Sequence, residues 1–500
     1  MLTASLLGAY SALGLAGFVF DDVALVVQNT LTGEPGRWLE AFRTDLWKTS
    51  GANEFSGYYR PLLLLDLMFD RALFGLSPTA HHLHSVAWHL LASGLFFTLL
   101  RRLVQPGPAL VGAAIFALHP VQSEAVAWVA ARNDLMAASF VFASLLALLP
   151  ARPGAGRLAG GFVLALGGLL AKESAVIVPI ALLALDLARD RRPGPLPRYL
   201  AALLAIAAWV AMRTAAAIPS ASVPDSAQLA GLLAGLPTLG VHFAALLVFP
   251  SPLSIGEFLP YLRASSAQIV EAITLALGLA FALWRGRRLA LAGLGIALIA
   301  FAPALLAIAV RGQIGERYLY FPLAGLALAV AAALPDRRAI LGALVPFAFA
   351  WLAVLHLRLP DWTSDLSLWE SAHADTPSPY THHSLAAALV TEGRSAEAVV
   401  HYQAALDAPR PYLSSCLPAV TLPLRQGDTD AALRGARLVV AAHCPKSAPL
   451  AAAAGRAALD GGDRELAFRL VDGIDPGGNR ELIALMRELE SLHDDDPPDP

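Results

Sequence analysis

The sequence predicts an all-α protein that combines a polytopic membrane helix bundle with a soluble helical tail. Of its 500 residues, 56% are hydrophobic and only 15% are charged, against roughly 25% charged residues in an ordinary soluble domain. Uncharged stretches recur through residue 357, and many approach the ~20 residues that cross a bilayer as a helix. The net charge of −3 gives no sign of the basic surface that a nucleic-acid partner requires.

Membrane helices are predicted along residues 1–360. The first apolar stretch, residues 2–20, lacks the basic start and the small-residue cleavage site of a signal peptide, so we expect it to remain as the first transmembrane helix. We expect about eleven spanning helices in all. Residues 228–249 contain "AGLLAGLPTLG", and we expect this stretch to be re-entrant or interfacial, because non-helical backbone in a membrane must be covered by protein or water.

Clusters of arginine between the apolar stretches predict the orientation of the bundle. Under the positive-inside rule these clusters lie on the cytoplasmic side. The alternate loops, which are 21–80, 119–134, Lys172–Glu173 and 311–317, then share the opposite side. The clusters are Arg101–Arg102, Arg152 with Arg157, Arg189 with Arg191, Arg192 and Arg198, Arg285 with Arg287 and Arg288, and Arg337–Arg338.

The tail, residues 361–491, contains a repeat. "GRSAEAVVHYQAAL", "GDTDAALRGARLVV" and "GDRELAFRLVDGI" begin at Gly393, Gly427 and Gly462, so the spacings are 34 and 35 residues. An alanine follows each glycine by five residues and would let paired helices approach closely. This period is that of the tetratricopeptide repeat, whose helix pairs stack into an α-solenoid with a concave face. The solenoid would hold an extended peptide on that face or serve for packing alone.

Two further features belong to the tail. Cys416 and Cys444 would pair if the tail faces an oxidising compartment. The acidic end, residues 492–500, is expected to be disordered.

Charged residues cluster in otherwise apolar surroundings, where each costs roughly 2.5–3.5 kcal/mol on insertion scales. Asp21 and Asp22 follow the first apolar stretch. Two adjacent carboxylates repel, so one of them could have a raised pKa and accept a proton near neutral pH. The alternative is that the pair marks the water boundary and caps the next helix.

Three more clusters fall on the same predicted side. In "ALHPVQSEAVAWVAARND", His119–Pro120 would end the third helix, and the charged residues of the stretch would pair with one another. Lys172 and Glu173 would form an ion pair at a helix break, or Lys172 would meet an anion beside a polar cavity. In "RGQIGERYLYFP", arginine offers phosphate a planar fork, whereas anchoring to lipid headgroups is the alternative. The residues of these clusters are His119, Glu124, Arg132, Asp134, Lys172, Glu173, Arg311, Glu316, Arg317, Tyr318 and Tyr320, with Arg213 as a further phosphate candidate.

The first outer loop, residues 21–80, carries a further group. Residues 61–75 are predicted as an amphipathic or apolar helix at the membrane surface, flanked by Arg60 and by His81, His82 and His84. Three close histidines could bind a divalent metal, or each could bond to a neighbouring loop. The ligand spacing does not support a metal at His119 and Glu124 either, and no cofactor is predicted.

Together these motifs resemble the transmembrane and tetratricopeptide-repeat proteins, which have the C-type glycosyltransferase (GT-C) fold. The resemblance covers nearly the whole chain. It departs from the family where Gln122 replaces a second histidine. The motifs, in family order, are "FVFDDVALVVQN", "YYRPLLLLDLMFD", "HHLHSVAWHLL", "ALHPVQSEAVAWVAARNDLMAA", "LLAKESAVIVPIALLALD" and "GERYLYFPLAG".

The resemblance implies an enzyme that transfers a sugar from a polyprenyl-phosphate carrier to a hydroxyl acceptor, by inversion in a single displacement. Asp21 or Asp22 would be the catalytic base, and Arg317, Arg213 and Lys172 would bind the donor phosphate. Supporting polar residues would be Arg60, His119, Glu124, Arg132, Asp134, Glu173, Glu316 and Tyr320.

The identity of the acceptor is open between a protein presented by the repeats and a lipid or glycan. A membrane-anchored repeat scaffold or a transporter, neither of them a glycosyltransferase, is the further alternative. The expected location is the bacterial inner membrane, with the site and the repeats on the periplasmic side.

Overall fold

The computed structural model describes residues 2–50, 56–219, 223–284, 287–335 and 338–494, and these residues divide into two compact units. The first unit is Met1–Ser367 and the second is Leu368–Pro500. The described residues are almost entirely helical, with a single antiparallel bridge between Phe258 and Gln313. The predicted acidic end at 492–500 lies outside the described residues from 495 onward, and the last described helix reaches Asp494.

The first unit contains fourteen α-helices in its described part, before a fifteenth that runs from it into the second unit. They are α1 (Leu2–Ala9), α2 (Pro61–Phe74), α3 (Pro78–Leu100), α4 (Pro106–Leu118), α5 (Ser123–Ala127), α6 (Arg132–Leu148), α7 (Ala155–Ala171), α8 (Val178–Asp190), α9 (Leu196–Ala215), α10 (Ser226–Val248), α11 (Ser266–Trp284), α12 (Arg288–Arg311), α13 (Tyr320–Ala333), α14 (Arg338–Arg358) and α15 (Asp365–Asp375).

Five helical segments among the described residues are long and apolar enough to cross a membrane. They are α3, Val129–Leu148, α9, α10 and α12. A sixth forms if α4 and Pro120–Ala127, bent by 49° at His119, count as one span. The predicted helix end at His119–Pro120 is therefore confirmed. The number of crossings, about eleven in the sequence analysis, stays a prediction because α7, α8 and α13 are apolar but shorter.

Two predicted helix boundaries need correction. Residues 2–20 do not form one transmembrane helix, because α1 ends at Ala9 and a 3-10 turn covers Ser11–Leu15. Beyond that turn Gly17 approaches the 359–363 turn, where its N–H donates to the Trp362 carbonyl at 3.3 Å. Residues 228–249 lie in α10, which is continuous through Pro237. The predicted backbone break at this stretch is absent.

Helices α12 and α13 pack with their backbones in contact. A β-carbon on Gly293 would lie 2.6 Å from the Gly325 carbonyl oxygen, and one on Gly325 would lie 2.5 Å from the Gly293 oxygen. Small residues at a helix crossing allow this approach in membrane bundles. The contact fixes the two helices that border the loop 312–319. The loop itself is tied to residues 257–259 by Leu259 N–H to the Gly312 carbonyl, at 2.7 Å, and Ile314 N–H to the Glu257 carbonyl, at 3.0 Å.

The second unit consists of successive helices joined by short turns. They are α16 (Pro379–Thr391), α17 (Ser395–Leu406), α18 (Pro418–Gln426), α19 (Thr429–Ala441), α20 (Ala448–Asp460), α21 (Arg464–Val471) and α22 (Arg480–Asp494).

The repeat signals of the sequence fall where they were predicted. Gly393, Gly427 and Gly462 lie in turns between helices with φ of +76°, +74° and +80°, a conformation that glycine adopts without steric cost. The three predicted alanines, Ala398, Ala432 and Ala467, are fully buried. Cys416 and Cys444 form a disulfide. These observations agree with helix-pair repeats, and the tetratricopeptide solenoid stays a prediction.

Candidate functional site: a charged cavity in the first unit

A cavity of about 500 Å³ lies in the first unit, where the four predicted outer stretches meet. Charged and aromatic side chains line one part of it, and small apolar residues of α12 line another. The lining includes Asp21, Tyr58, Arg60, Trp128, Asp134, Lys172, Glu173, Ala300, Pro303, Ala304, Ala307, Arg311, Arg317 and Tyr318. The predicted grouping of these loops is thus observed, while the side of a membrane that they face stays a prediction.

The two adjacent aspartates have different environments. Asp21 lines the cavity and is partly exposed. Asp22 is fully buried, and its carboxylate accepts hydrogen bonds from the backbone N–H of Ala130 (2.7 Å) and of Val19 (3.4 Å). Phe20 precedes the pair with φ of +53°, a left-handed conformation that is costly for a bulky residue. Its N–H donates to Asp365 Oδ1 at 2.6 Å, which stabilises the turn that separates the two carboxylates.

The pKa values of both aspartates are raised. Burial raises the pKa of Asp21 to about 6, and the nearby charges of Arg317 and Arg311 limit the increase. Burial raises the pKa of Asp22 to about 8, against the lowering effect of its backbone hydrogen bonds. Asp21, which has the lower pKa, is therefore the carboxyl that ionises more readily near neutral pH and can accept a proton, whereas Asp22 binds the local backbone.

Three ion pairs border the cavity. Arg60 donates to both oxygens of Glu173, with the shortest distance 2.9 Å, and Lys172 Nζ donates to both oxygens of Asp134 at 2.6 Å. Arg317 pairs with Glu124 through its side chain, and its backbone N–H donates to Glu124 Oε2 at 3.0 Å. These side chains link elements that are far apart in the sequence, so they fix the cavity's geometry.

A glycine makes room for the Arg317–Glu124 pair. A β-carbon on Gly315 would lie 2.5 Å from Arg317 Nη1 and 3.1 Å from Glu124 Oε1. Arg317 also lies over the Trp128 ring, 4.7 Å from its centre, and 4.8 Å from that of Tyr318. Cation–π contacts of this kind hold a guanidinium in place without neutralising it.

Arg311 lines the cavity, although the predicted phosphate-binding set contained only Arg317, Arg213 and Lys172. It is exposed, and its guanidinium lies 5.0 Å from the centre of the Tyr58 ring. Within the described part of the chain, no carboxylate lies within 4.0 Å of it. The signal was present, because Arg311 opens the same "RGQIGERYLYFP" motif that contains Arg317.

Several predicted site residues lie away from the cavity. Arg213 donates to the carbonyls of Gly57 (3.0 Å) and Pro219 (2.8 Å). His119 is buried, with Nε2 3.3 Å from the Leu247 carbonyl oxygen. Glu316 is buried, and the Tyr320 hydroxyl contacts His89 Nδ1 at 2.8 Å. None of these four side chains lines the cavity, and a role of Arg213 in binding the donor phosphate stays a prediction.

The predicted pairing within the second and third clusters is wrong in its partners. Glu124, Arg132 and Asp134 all form ion pairs, but with Arg317, with Asp66 and Asp70, and with Lys172. Lys172 and Glu173 likewise bind distant partners and not each other. Neighbours on a short turn point their side chains in different directions, so each reaches a different element.

Each histidine of the first loop contacts a neighbouring group, and His81 and His84 both lie beside Asp70. His81 Nε2 lies 3.1 Å from the Gly75 carbonyl oxygen, His82 Nε2 lies 2.9 Å from that of Gly17, and His84 Nδ1 lies 2.6 Å from Asp70 Oδ1. The alternative in which they bond to neighbouring groups is thus the one observed.

Arginines from separate clusters meet elsewhere in the first unit. Arg191, Arg287 and Arg288 line one surface depression, and Arg101, Arg102 and Arg287 line another. Arg198 pairs with the buried Asp186. Arg285 and Arg337 lie outside the described residues. Three of the five predicted clusters therefore lie close together, as expected if they share one side of a membrane.

The fold and the cavity define an all-helical protein with apolar, membrane-length helices and a charged pocket. Comparison with characterised proteins gives its relatives. The chain is 32% identical over 131 residues to the mouse protein O-mannosyl-transferase TMTC3 and 34% identical over 149 residues to mouse TMTC2. It is 31% identical over 185 residues to Drosophila melanogaster Tmtc2. The resemblance to the transmembrane and tetratricopeptide-repeat proteins is thereby confirmed: homologues of this chain are TMTC O-mannosyl-transferases.

The matches cover parts of both proteins. They span 26%, 27% and 35% of this chain and only 14%, 18% and 20% of those three relatives. No family model matches the chain. Among solved structures, the crystal structure of ArnT from Cupriavidus metallidurans bound to undecaprenyl phosphate aligns with 97% of this chain and 86% of that one. The TM-score is 0.40 at 14% identity.

Proposed function

We propose that the protein is a membrane glycosyltransferase that moves a sugar from a polyprenyl-phosphate carrier to a hydroxyl acceptor, with Asp21 as the general base. One observation carries the proposal. Asp21, an ionisable carboxylate with a pKa of about 6, lines the same cavity as the cations Arg311, Arg317 and Lys172. The homology to O-mannosyl-transferases supports the reaction class and makes mannose the first sugar to assay.

The reaction needs a base and a cationic site for the leaving group. The acceptor oxygen attacks the anomeric carbon and loses its proton to Asp21. The bond between that carbon and the phosphate oxygen breaks, and its electron pair leaves with the phosphate. Arg311, Arg317 and Lys172 stabilise the negative charge that develops there, which is the largest contribution in many enzymes. One base and no separate nucleophile give a single displacement with inversion.

Arg311 contributes most to phosphate binding in this scheme. Arg317 and Lys172 are already neutralised by Glu124 and Asp134, whereas Arg311 keeps its donors for a ligand. Arginine presents a fork that matches phosphate oxygens. Arg311 therefore replaces Arg213 in the predicted phosphate set.

The apolar part of the cavity suits the carrier lipid. Ala300, Ala304 and Ala307 of α12 form a narrow wall of small side chains next to Arg311. Leu298 and Leu306 of the same helix are 76% and 57% exposed, as expected for residues that face lipid. A polyprenyl chain along α12 would place its phosphate at the helix end, beside Arg311.

Substitution of the two aspartates tests the base. We expect Asp21→Asn to reduce sugar transfer by about 10²–10⁴-fold, the usual contribution of a general base. The matched variant Asp22→Asn should keep most of the activity, because the Asp22 carboxylate does not reach the cavity. In the wild type, the rate should rise with pH, reach half of its maximum near pH 6 and level off about one pH unit higher, since Asp21 must be deprotonated. Full activity of Asp21→Asn would rule out this base.

The acceptor is proposed to be a protein that the repeat unit presents, on the periplasmic face of a bacterial inner membrane. The Cys416–Cys444 disulfide supports an oxidising compartment for that unit. The intact protein, given a labelled donor with separate protein and lipid extracts, distinguishes the acceptors. Label in lipid or glycan alone would favour the alternative glycosyltransferase, and no transfer to any acceptor would favour the non-enzymatic scaffold.

A further inference from the structure

Three histidines from three helices meet in the second unit, apart from the charged cavity. His373 lies in the last turn of α15, His382 in the first turns of α16 and His401 in α17. Their ring centres are 4.3, 5.1 and 5.3 Å apart. One nitrogen from each ring lies within 4.8 Å of the other two. Because the intervals in sequence fit no common metal motif, sequence reasoning missed this group.

We propose that His373, His382 and His401 bind a divalent transition metal, with Zn²⁺ as the best fit. Three imidazole nitrogens and a water form a familiar tetrahedral zinc set. All three side chains are partly exposed, so a metal and a water can reach them. Imidazole also selects Zn²⁺ over Mg²⁺ or Ca²⁺, which prefer oxygen ligands.

The closest pair of nitrogens lies at a hydrogen-bond distance, and a metal would take the place of the shared proton. His382 Nδ1 and His401 Nδ1 are 2.9 Å apart. Two lone pairs at this distance repel unless a proton or a cation lies between them. Zn–N bonds of about 2.0–2.1 Å at tetrahedral angles place two ligand nitrogens about 3.3 Å apart. Small side-chain rotations would therefore convert the observed group into a metal site.

A neighbouring hydroxyl orients the third ligand. His373 Nδ1 lies 3.1 Å from Thr381 Oγ1, and Thr381 is fully buried. If Nδ1–H donates to that oxygen, Nε2 keeps its lone pair for the metal, which is how second-shell groups fix the tautomer of zinc-binding histidines. Thr381 is itself held by Ser378 N–H, which donates to Oγ1 at 2.9 Å.

A second group of possible metal ligands lies in the first unit, but it has no free position for a metal. Asp66, Asp70 and His84 also present three close ligand atoms. However, Arg132 Nη1 already donates to Asp66 Oδ2 at 2.5 Å and to Asp70 Oδ2 at 2.6 Å. A cation thus occupies the position that a metal would need, and the histidine group is the better site.

Metal binding by the full-length protein tests the proposal. The protein, purified in detergent with a histidine-free tag and stripped with a chelator, is dialysed against Zn²⁺, and bound metal is measured by mass spectrometry. We expect about one Zn²⁺ per chain for a three-histidine site. His382→Asn and His401→Asn should lose it. Co²⁺ should give the visible absorption of a tetrahedral site in the wild type alone.

The control is His443→Asn, an exposed histidine elsewhere in the same unit. Its φ of +53° suits asparagine, so this variant should fold and keep the metal. Resistance of peptides from residues 368–500 to limited proteolysis reports that the unit is folded in every variant. Zn²⁺ retained by a folded His382→Asn/His401→Asn double variant, or no Zn²⁺ bound by the wild type, would overturn the proposal.

Discussion

Among the described residues, the ion pairs of the second unit are exposed to solvent, whereas the first unit also contains fully buried pairs. In the first unit Arg132 is fully buried and binds Asp66 and Asp70, which are themselves nearly or fully buried. In the second unit Arg456 pairs with Glu488 at 2.6 Å, but the side chains are 37% and 46% exposed. The buried ion pair of the first unit therefore carries a large desolvation cost, whereas the exposed pair of the second unit contributes little stability.

The difference shows where ion pairs connect helices and where they do not. Arg132 joins α6 to α2 and donates to the His81 carbonyl of α3 at 2.6 Å. It thereby ties together three helices next to the cavity. In the second unit, buried alanines and a disulfide connect the helices, and the ion pairs lie on the surface.

Removal of Arg132 should have the largest effect. Arg132→Met leaves two carboxylates buried without a cation, which costs about 3–5 kcal/mol. Arg456→Met, the matched surface change, should cost at most about 1 kcal/mol. Limited proteolysis of the intact protein, with peptides assigned to each unit, measures both. Restored stability in an Arg132→Met/Asp66→Leu/Asp70→Leu variant would show that the unpaired charges cause the loss, and equal small effects of the two single substitutions would refute the contrast.

Arg311 differs from both kinds of pair, because it is a cavity cation without a carboxylate partner in the described chain. Arg311→Ala should lower sugar transfer by about 10²–10³-fold, as loss of a charge-stabilising donor does, with little change in stability. Arg213→Ala is the control, since Arg213 does not line the cavity and donates to the backbone carbonyls of Gly57 and Pro219. Steady-state kinetics with a polyprenyl-phosphate donor provides the measurement, and equal rates for the two variants would contradict the assignment of Arg311.

Loss of the disulfide should have a smaller effect that is confined to the second unit. The bond closes a loop with a sequence separation of 28, for which chain entropy predicts about 3.6 kcal/mol. Cys416→Ala/Cys444→Ala should make peptides from 368–500 more susceptible to proteolysis and leave those of the first unit unchanged. Reduction of the wild type should reproduce this result. An unchanged pattern on reduction would mean that the bond adds no stability.

The sequence predicted that charged residues from four separate stretches would lie together, because such residues stand out in otherwise apolar surroundings. Ion-pair partners could not be predicted in the same way. Asp134 binds Lys172 across 38 residues, and Glu124 binds Arg317 across 193, and no local pattern encodes such distances. The different environments of Asp21 and Asp22 depend on the turn at Phe20, whose left-handed conformation is not a property that phenylalanine signals.

Helix boundaries followed apolar stretches except where packing overrode them. The first stretch breaks near Ala9 and Leu15 because the chain turns to contact residues 359–363. In α10, Pro237 does not break the helix, although proline in a helix interior removes a hydrogen bond. In the second unit the glycine turns could be predicted because they depend on neighbouring residues. The meeting of His373, His382 and His401 could not, because it depends on the packing of three helices.

The contact between Gly293 and Gly325 sets the distance between α12 and α13. Gly293 lies 18 residues before Arg311 on α12, or about 27 Å along the helix axis. A small increase in the distance between α12 and α13 at that point would tilt α12 and move Arg311 at its C-terminal end. The width of the cavity near Arg311 is thus expected to depend on the lack of side chains at Gly293 and Gly325.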